Sequence, residues 1–178
     1  MKKYILITLI LIIACTNQKN NSTKIYRNAF TDKEKTILRA SREIIKNAYF
    51  GSFISLNKEN YPKSREVEPL SPNDKFVIYF ATKPNTRKVN EVSNNPKTAF
   101  HFFDKSQLGY VSLYGKSVVI TNKDSIKNHW NRAWDRYYPN KKYVLIKFVS
   151  EYLEMVNIKT GLTGNSTNWR PEKVILRK

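Results

Sequence analysis

Apolar residues recur along this chain with two different periods, and the change of period divides it into elements. Between Thr31 and Ala48, Ile37, Leu38, Ile44, Ile45 and Ala48 fall on one helical face. Thr31 and Glu34 stand at capping-box spacing ahead of that stripe, so the pattern predicts a helix starting there. Beyond it the period shortens to two. Strand-like runs occupy 49–56, 64–70, 75–82, 98–104, 109–120 and 143–158. Polar turn segments at 57–62, 71–74, 94–96 and 104–109 separate most of them. Short connections favour antiparallel pairing. Six such strands in one small domain predict a mainly β (α+β) protein built on a closed or partly closed barrel, which removes exposed edges.

Two helical patterns interrupt the strands. One is short, TRKVNEVSNN at 86–95. The other, at 122–138, spaces Ile126, Trp130, Ala133, Trp134 and Tyr137 three or four residues apart. The plain expectation is a helix that packs its aromatics on the barrel. A sharper one is that Trp130 or Trp134 covers a bound planar ligand.

The first fifteen residues, MKKYILITLILIIAC, have two lysines, an apolar run and then Ala14-Cys15. That run is short for a membrane span and has the layout of a secretory signal. Ile12-Ile13-Ala14-Cys15 resembles the bacterial lipobox, in which the cysteine is lipidated and becomes the mature N-terminus. The expected division is a signal peptide over 1–14, a lipidated Cys15 and polar tether over 15–27, and one folded domain over 28–178. As Cys15 is the lone cysteine, that domain has no internal disulfide and stands on its core. The expected place is the bacterial cell envelope, on a membrane through the lipid.

Removing Lys2 and Lys3 with the signal lowers the formal charge from +18 to +16. Such a balance favours anionic partners. The basic residues form no continuous block and no DNA-reading motif, and export argues against nucleic acid as the partner. His, Cys, Asp and Glu show no metal-ligand spacing, and no serine triad or glycine-rich dinucleotide loop is present.

One place concentrates charge where backbone chemistry can use it. In FATKPNTRKV, residues 80–89, an apolar strand ends at Thr82 and a helical pattern starts behind Thr86. The first turn of a helix presents unpaired N–H groups and a partial positive charge, which suits an anion. Arg87 adds a planar fork that can grip two phosphate oxygens, and Lys88 adds a point charge. Arg65 and Val67 share one face of the preceding strand by the two-residue period. If the second and third strands are paired neighbours, Arg65 reaches the same anion.

The block from Gly51 to Gly115 resembles the pyridoxamine 5′-phosphate oxidase-like flavoproteins, the FMN-binding split barrels, and within them the general stress protein subfamily. The resemblance rests on PKSREVEP, on YFATKPNTRKVNEVSNNPKTAFHFFD and on GYVSLYGKSVVI. It implies a six-stranded antiparallel Greek-key split β-barrel with flanking helices, and a homodimer with FMN at the subunit interface. It implies that Arg65, Arg87 and Lys88 hold the flavin phosphate, with Thr86 donating there or to the ribityl chain. Val67, Ala81 and Thr82 would line the isoalloxazine edge. Tyr110 stands where relatives often place a glutamine near the cofactor. Trp130 or Trp169 would approach a ring from the second subunit.

The C-terminal GLTGNSTNWRPEKVILRK lacks the Arg and His pattern with which true pyridoxamine phosphate oxidases grip their substrate, so vitamin B6 oxidation is not expected. Its TNWRPEKVIL resembles the ends of general stress proteins and is expected to close the barrel, leaving Arg170 to meet an anionic substrate or solvent. His101 is expected to be a satisfied barrel residue and His129 to be exposed. The reading is an exported flavin-dependent oxidoreductase of unknown substrate, with hydride or electron transfer at the flavin. Two other classes stay open: a non-catalytic carrier of haem or another planar cofactor, and an anion-binding surface module.

Overall fold

The computed structural model describes residues 30–140 and 142–176. The expected signal peptide, Cys15 and the tether lie outside the described residues. The first helix, α1 (Asp32–Ala48), begins as the capping box requires: Thr31 Oγ1 accepts from Glu34 N, and the Glu34 carboxylate accepts from Thr31 N at 2.9 Å. Such a cap is worth about 0.5–2 kcal/mol. The buried face of α1 carries Ile37, Ala40, Ile44 and Ile45, and it lies against the sheet.

Seven strands follow: β1 (Gly51–Leu56), β2 (Pro62–Val67), β3 (Val77–Thr82), β4 (Lys97–Asp104), β5 (Gly109–Ile120), β6 (Val144–Asn157) and β7 (Glu172–Ile175). Helix α2 (Arg87–Asn94) joins β3 to β4, and α3 (Lys123–Asn128) follows β5. All strand pairs are antiparallel, in the order β2-β1-β4-β5-β6-β3, with β7 also on β6. This is the split barrel with flanking helices, carrying a seventh strand beyond the six expected. The extra strand is the C-terminal tail, which does join the barrel as anticipated.

β6 makes that possible by serving two partners along one edge. Its first part, Val144–Val149, pairs with β3, and Tyr152–Met155 pairs with β7. A register shift at Tyr114/Gly115 lies opposite the changeover. A bulge of this kind bends and twists a strand locally.

Two expectations change. β2 and β3 are not ladder neighbours; they stand at opposite ends of the strand path. They approach because the sheet curls, and Leu70 N donates to Tyr79 O at 2.8 Å just beyond β2. The expected single helix over 122–138 is broken: α3 stops at Asn128, and a 3-10 helix occupies Arg132–Arg136. Asn131 restarts the chain by accepting from Ala133 N with its side chain. Trp130, between the pieces, stacks on Tyr143 with ring centres 3.8 Å apart. That contact replaces the helical repeat.

The main core packs Phe53, Phe80, Phe100, Phe102 and Phe148 between the sheet's inner face and α1. A second cluster, around Ile126, Trp134 and Leu145, fixes the aromatic segment against β3 and β6.

Candidate functional site: an anion seat at the start of helix α2

β3 ends at Thr82 and α2 starts at Arg87, so four residues turn the chain between them. Thr86 occupies the N-cap position with extended backbone, yet its hydroxyl makes no cap. It donates instead to Lys83 O at 3.1 Å and lies 3.3 Å from the Thr82 hydroxyl. The backbone N–H groups opening α2 therefore have no side-chain oxygen from their own N-cap, which keeps the helix start available to an anion. Lys88 reaches back across this turn and donates from Nζ to Thr82 Oγ1 at 3.2 Å.

Arg65 enters from β2. Its Nη2 donates to Glu91 Oε2 at 2.8 Å and its Nη1 to Ser55 Oγ at 2.6 Å, while Ser55 Oγ donates to Glu91 at 2.6 Å. Both Ser55 and Glu91 are buried. The Lys88 ammonium is held below its usual pKa, chiefly by burial, then by Arg65 and less by Arg87, with Glu91 pulling the other way. Two other cations thus press on Lys88 at one spot, the arrangement in which a bound anion relieves repulsion.

Beside the seat lies a cavity of about 270 Å³ lined by Phe50, Glu66, Val67, Glu68, Ala81, Thr82, Lys88, Trp134, Tyr137 and Tyr138. Its wall is held by backbone bonds. Trp134 Nε1 donates to Glu68 O at 3.2 Å, and the Tyr138 hydroxyl donates to Ala81 O at 2.8 Å. Glu68 is tied at the rim by Arg136 at 3.0 Å and the Tyr49 hydroxyl at 2.8 Å. A second cavity, of about 370 Å³, shares Tyr137 and Tyr138 and continues past Lys83 and Lys142.

The structure brings together Val67, Ala81, Thr82 and Lys88 around the cavity. Thr86 and Arg87 stand at the head of α2 beside them, and Arg65 is coupled to the group through Glu91 and Lys88. It does not bring the others there. Tyr110 sits on β5 with its ring 5.5 Å from His101, and His101 bonds Ser112 at 2.9 Å, the satisfied barrel histidine expected. His129 is half-buried, stacked on Tyr79 with ring centres 4.0 Å apart, and not exposed as expected. Trp130 packs on Tyr143, Trp169 is 88% exposed, and Arg170 is exposed just after a turn at 166–168 of the tail. Cys15 lies outside the described residues.

Sequence reasoning missed Glu91, Ser55, Phe50, Glu66, Glu68, Tyr137 and Tyr138. Glu91 had a readable signal, because it follows Arg87 and Lys88 by four and three residues and so shares their helix face. The cavity walls had none, since they depend on how the sheet curls. Among the described residues no group of His, Cys, Asp and Glu could hold a metal ion.

The fold is that of a small antiparallel split barrel with flanking helices, carrying a cationic helix start beside an aromatic-walled cavity. Within that fold class the chain belongs to the pyridoxamine 5′-phosphate oxidase family, which it matches over residues 37–157. It is 34% identical over 88 residues to a pyridoxine/pyridoxamine 5′-phosphate oxidase from Pelagibacter ubique, a match covering 49% of this chain and 37% of that protein. The chain thus spans well under half of that curated relative. Its fold is shared by a protein related to general stress protein 26 from Clostridium acetobutylicum (TM-score 0.64, 19% identity, 70% of this chain and 91% of that one). It is also shared by a pyridoxamine 5′-phosphate oxidase-related, FMN-binding protein from Nostoc punctiforme (TM-score 0.57, 10% identity, 84% and 99%).

Proposed function

We propose that this protein binds FMN in the cavity beside α2 and serves as a flavin-dependent oxidoreductase, exported as a lipoprotein through Cys15. The observation that carries the reading is Lys88 reaching back to Thr82 Oγ1 across a helix start whose N-cap hydroxyl does not cap, with Arg87 in the same first turn and Arg65 held against Glu91 on that helix. The residues fit a flavin phosphate. Lys88 and Arg87 supply charge, the α2 N–H groups supply donors, and Arg65 has N–H donors left beyond the two given to Ser55 and Glu91. Val67, Ala81 and Thr82 line the cavity together with Trp134 and Tyr138, offering backbone and aromatic surface to a planar ring.

Bound flavin supplies reversible hydride or electron transfer, so the protein needs no acid or base of its own. The chain's part is to grip the phosphate, orient the ring and hold a cationic field around it. Glu68 and Arg136 pin the rim, which fixes the ring's approach.

A volume of about 270 Å³ falls below the roughly 300–1,000 Å³ of enclosed small-molecule sites. The adjoining cavity of about 370 Å³, which shares Tyr137 and Tyr138, extends the space open to an FMN-sized ligand, and the expected homodimer remains part of this proposal. Neither histidine lines this cavity, so a haem placed here would find no imidazole ligand.

The test is the visible absorption spectrum of the full chain, purified without added cofactor and then titrated with FMN. A flavin spectrum retained or restored by FMN, and weakened in Lys88→Gln, supports the reading. A Soret band, or no uptake of FMN, overturns it.

A further inference from the structure

One carboxylate stands inside the cationic seat. Glu91 is 8% exposed, and its Oε2 receives both Arg65 Nη2 and Ser55 Oγ. Ser55, itself 1% exposed, receives Arg65 Nη1, so the three side chains close a ring under α2. Lys88 and Arg87 lie one turn earlier on the same helix. Of the nearby acids, Glu68 is taken by Arg136 and Tyr49, and Glu66 by the Ser52 hydroxyl on the paired strand. Among the described residues, Glu91 is the acid bonded directly to one of the seat's three cations, Arg65.

We infer that Glu91 is the built-in counter-ion of the anion seat, and that it sets how strongly the seat prefers a phosphorylated ligand to its uncharged counterpart. The inference rests on the phosphate-seat reading above. Arg65, Arg87 and Lys88 bring three positive charges, and Glu91 cancels one of them. The remainder matches a phosphate monoester, which carries about −1.5 to −2 at neutral pH. With the seat empty, Glu91 keeps Arg65 paired, so the protein avoids an isolated buried guanidinium. With the seat filled, its charge repels the phosphate and limits affinity.

The quantity to measure is the ratio of riboflavin to FMN dissociation constants, since the two ligands share a ring and differ in the phosphate. Glu91→Gln keeps the shape and removes the charge. It is expected to raise that ratio about tenfold, through FMN alone. Arg65→Gln lowers the ratio, and the double variant Arg65→Gln/Glu91→Gln returns it to within about threefold of wild type, because the net charge is restored. The double variant also leaves no unpaired buried charge, so it reads the inference even where Glu91→Gln folds poorly. Equal changes for both ligands, a lowered ratio in Glu91→Gln, or a double variant no better than Arg65→Gln would overturn it.

If the wild type binds neither flavin, the FMN reading falls and inorganic phosphate becomes the probe. A larger thermal shift by phosphate in Glu91→Gln than in wild type then upholds the counter-ion. An equal or smaller shift refutes it.

Discussion

Arg65 and Glu91 meet at 2.8 Å although 26 residues separate them and they stand on different elements, β2 and α2. The pair clips the end strand of the sheet to the helix that opens the site. Its side chains are 17% and 9% exposed, so little solvent screens it. Removing one member of a buried pair strands the other, at a cost of about 3–5 kcal/mol. Arg65→Ala is therefore expected to lower stability by about that amount, read by chemical denaturation. A loss under about 1 kcal/mol, the value of an exposed pair, would show that water reaches Glu91 freely.

Lys88 ties the site to pH. Its folded pKa is depressed from 10.5, first by burial and then by Arg65. Between that lowered value and 10.5 the unfolded chain holds the proton and the native chain has lost it, so stability rises with pH across the window. Below the window the native state carries the full penalty of a charged Lys88. Lys88→Gln is expected to be more stable than wild type at neutral pH, with the gap closing as pH climbs toward 10.5. FMN affinity moves the other way, because the phosphate needs the charged lysine. Wild-type affinity should fall as pH rises through the depressed value, while Lys88→Gln binds about 10–100-fold more weakly at neutral pH and loses that slope. Melting curves and FMN titrations of both proteins from neutral to alkaline pH check it. Comparing the two cancels the titrations of Tyr110, Tyr114, Tyr138 and Tyr152, all raised by burial.

The chain announces its local structure and conceals its closure. The capping box of Thr31 and Glu34 is present as written, β5 has the expected bounds at both ends, and Thr86 stands at the N-cap of α2. These follow from neighbours within about one turn or one pleat. The broken helix at 122–138 was not legible. Spacings of three and four fit both one helix and two short pieces, and the stacking of Trp130 on Tyr143 decided between them. Likewise, period two places Arg65 and Val67 on one face without saying which strand lies beside them. Arg65 reaches the seat by the curl of the sheet and through Glu91, not along a β2–β3 ladder. Such contacts join distant residues, and no local period encodes them.

Gly115 marks where the curl is made. A Cβ built there would meet Val149 O at 2.0 Å and Ser150 Cα at 2.9 Å, backbone atoms of the neighbouring strand that cannot swing aside. The register shift between β5 and β6 lies at this residue. Gly115→Ala must push the strands apart where β6 exchanges β3 for β7. The expected result is a loss of about 3 kcal/mol or more, read as a lowered melting midpoint and poor soluble yield. Gly161→Ala is the contrast, since nothing lies within 4 Å of its added Cβ and only its positive φ of 70° resists. It should cost about 1 kcal/mol.

Trp134 provides an optical reading of where the ligand sits. It is 1% exposed, lines the cavity and bonds Glu68 O, whereas Trp169 stands 88% exposed on the tail and Trp130 faces Tyr143. A flavin ring resting on Val67, Ala81 and Thr82 lies beside the Trp134 indole and should quench its emission. Titration with FMN is therefore expected to quench tryptophan fluorescence in wild type and in Trp169→Phe, and to quench it much less in Trp134→Phe. The last variant keeps most of the ring volume and loses the bond to Glu68 O, so a stability cost of about 1–2 kcal/mol accompanies it. Quenching that survives Trp134→Phe but vanishes in Trp169→Phe would move the ring to the tail, and would mean that a second chain, not this cavity, supplies the aromatic wall.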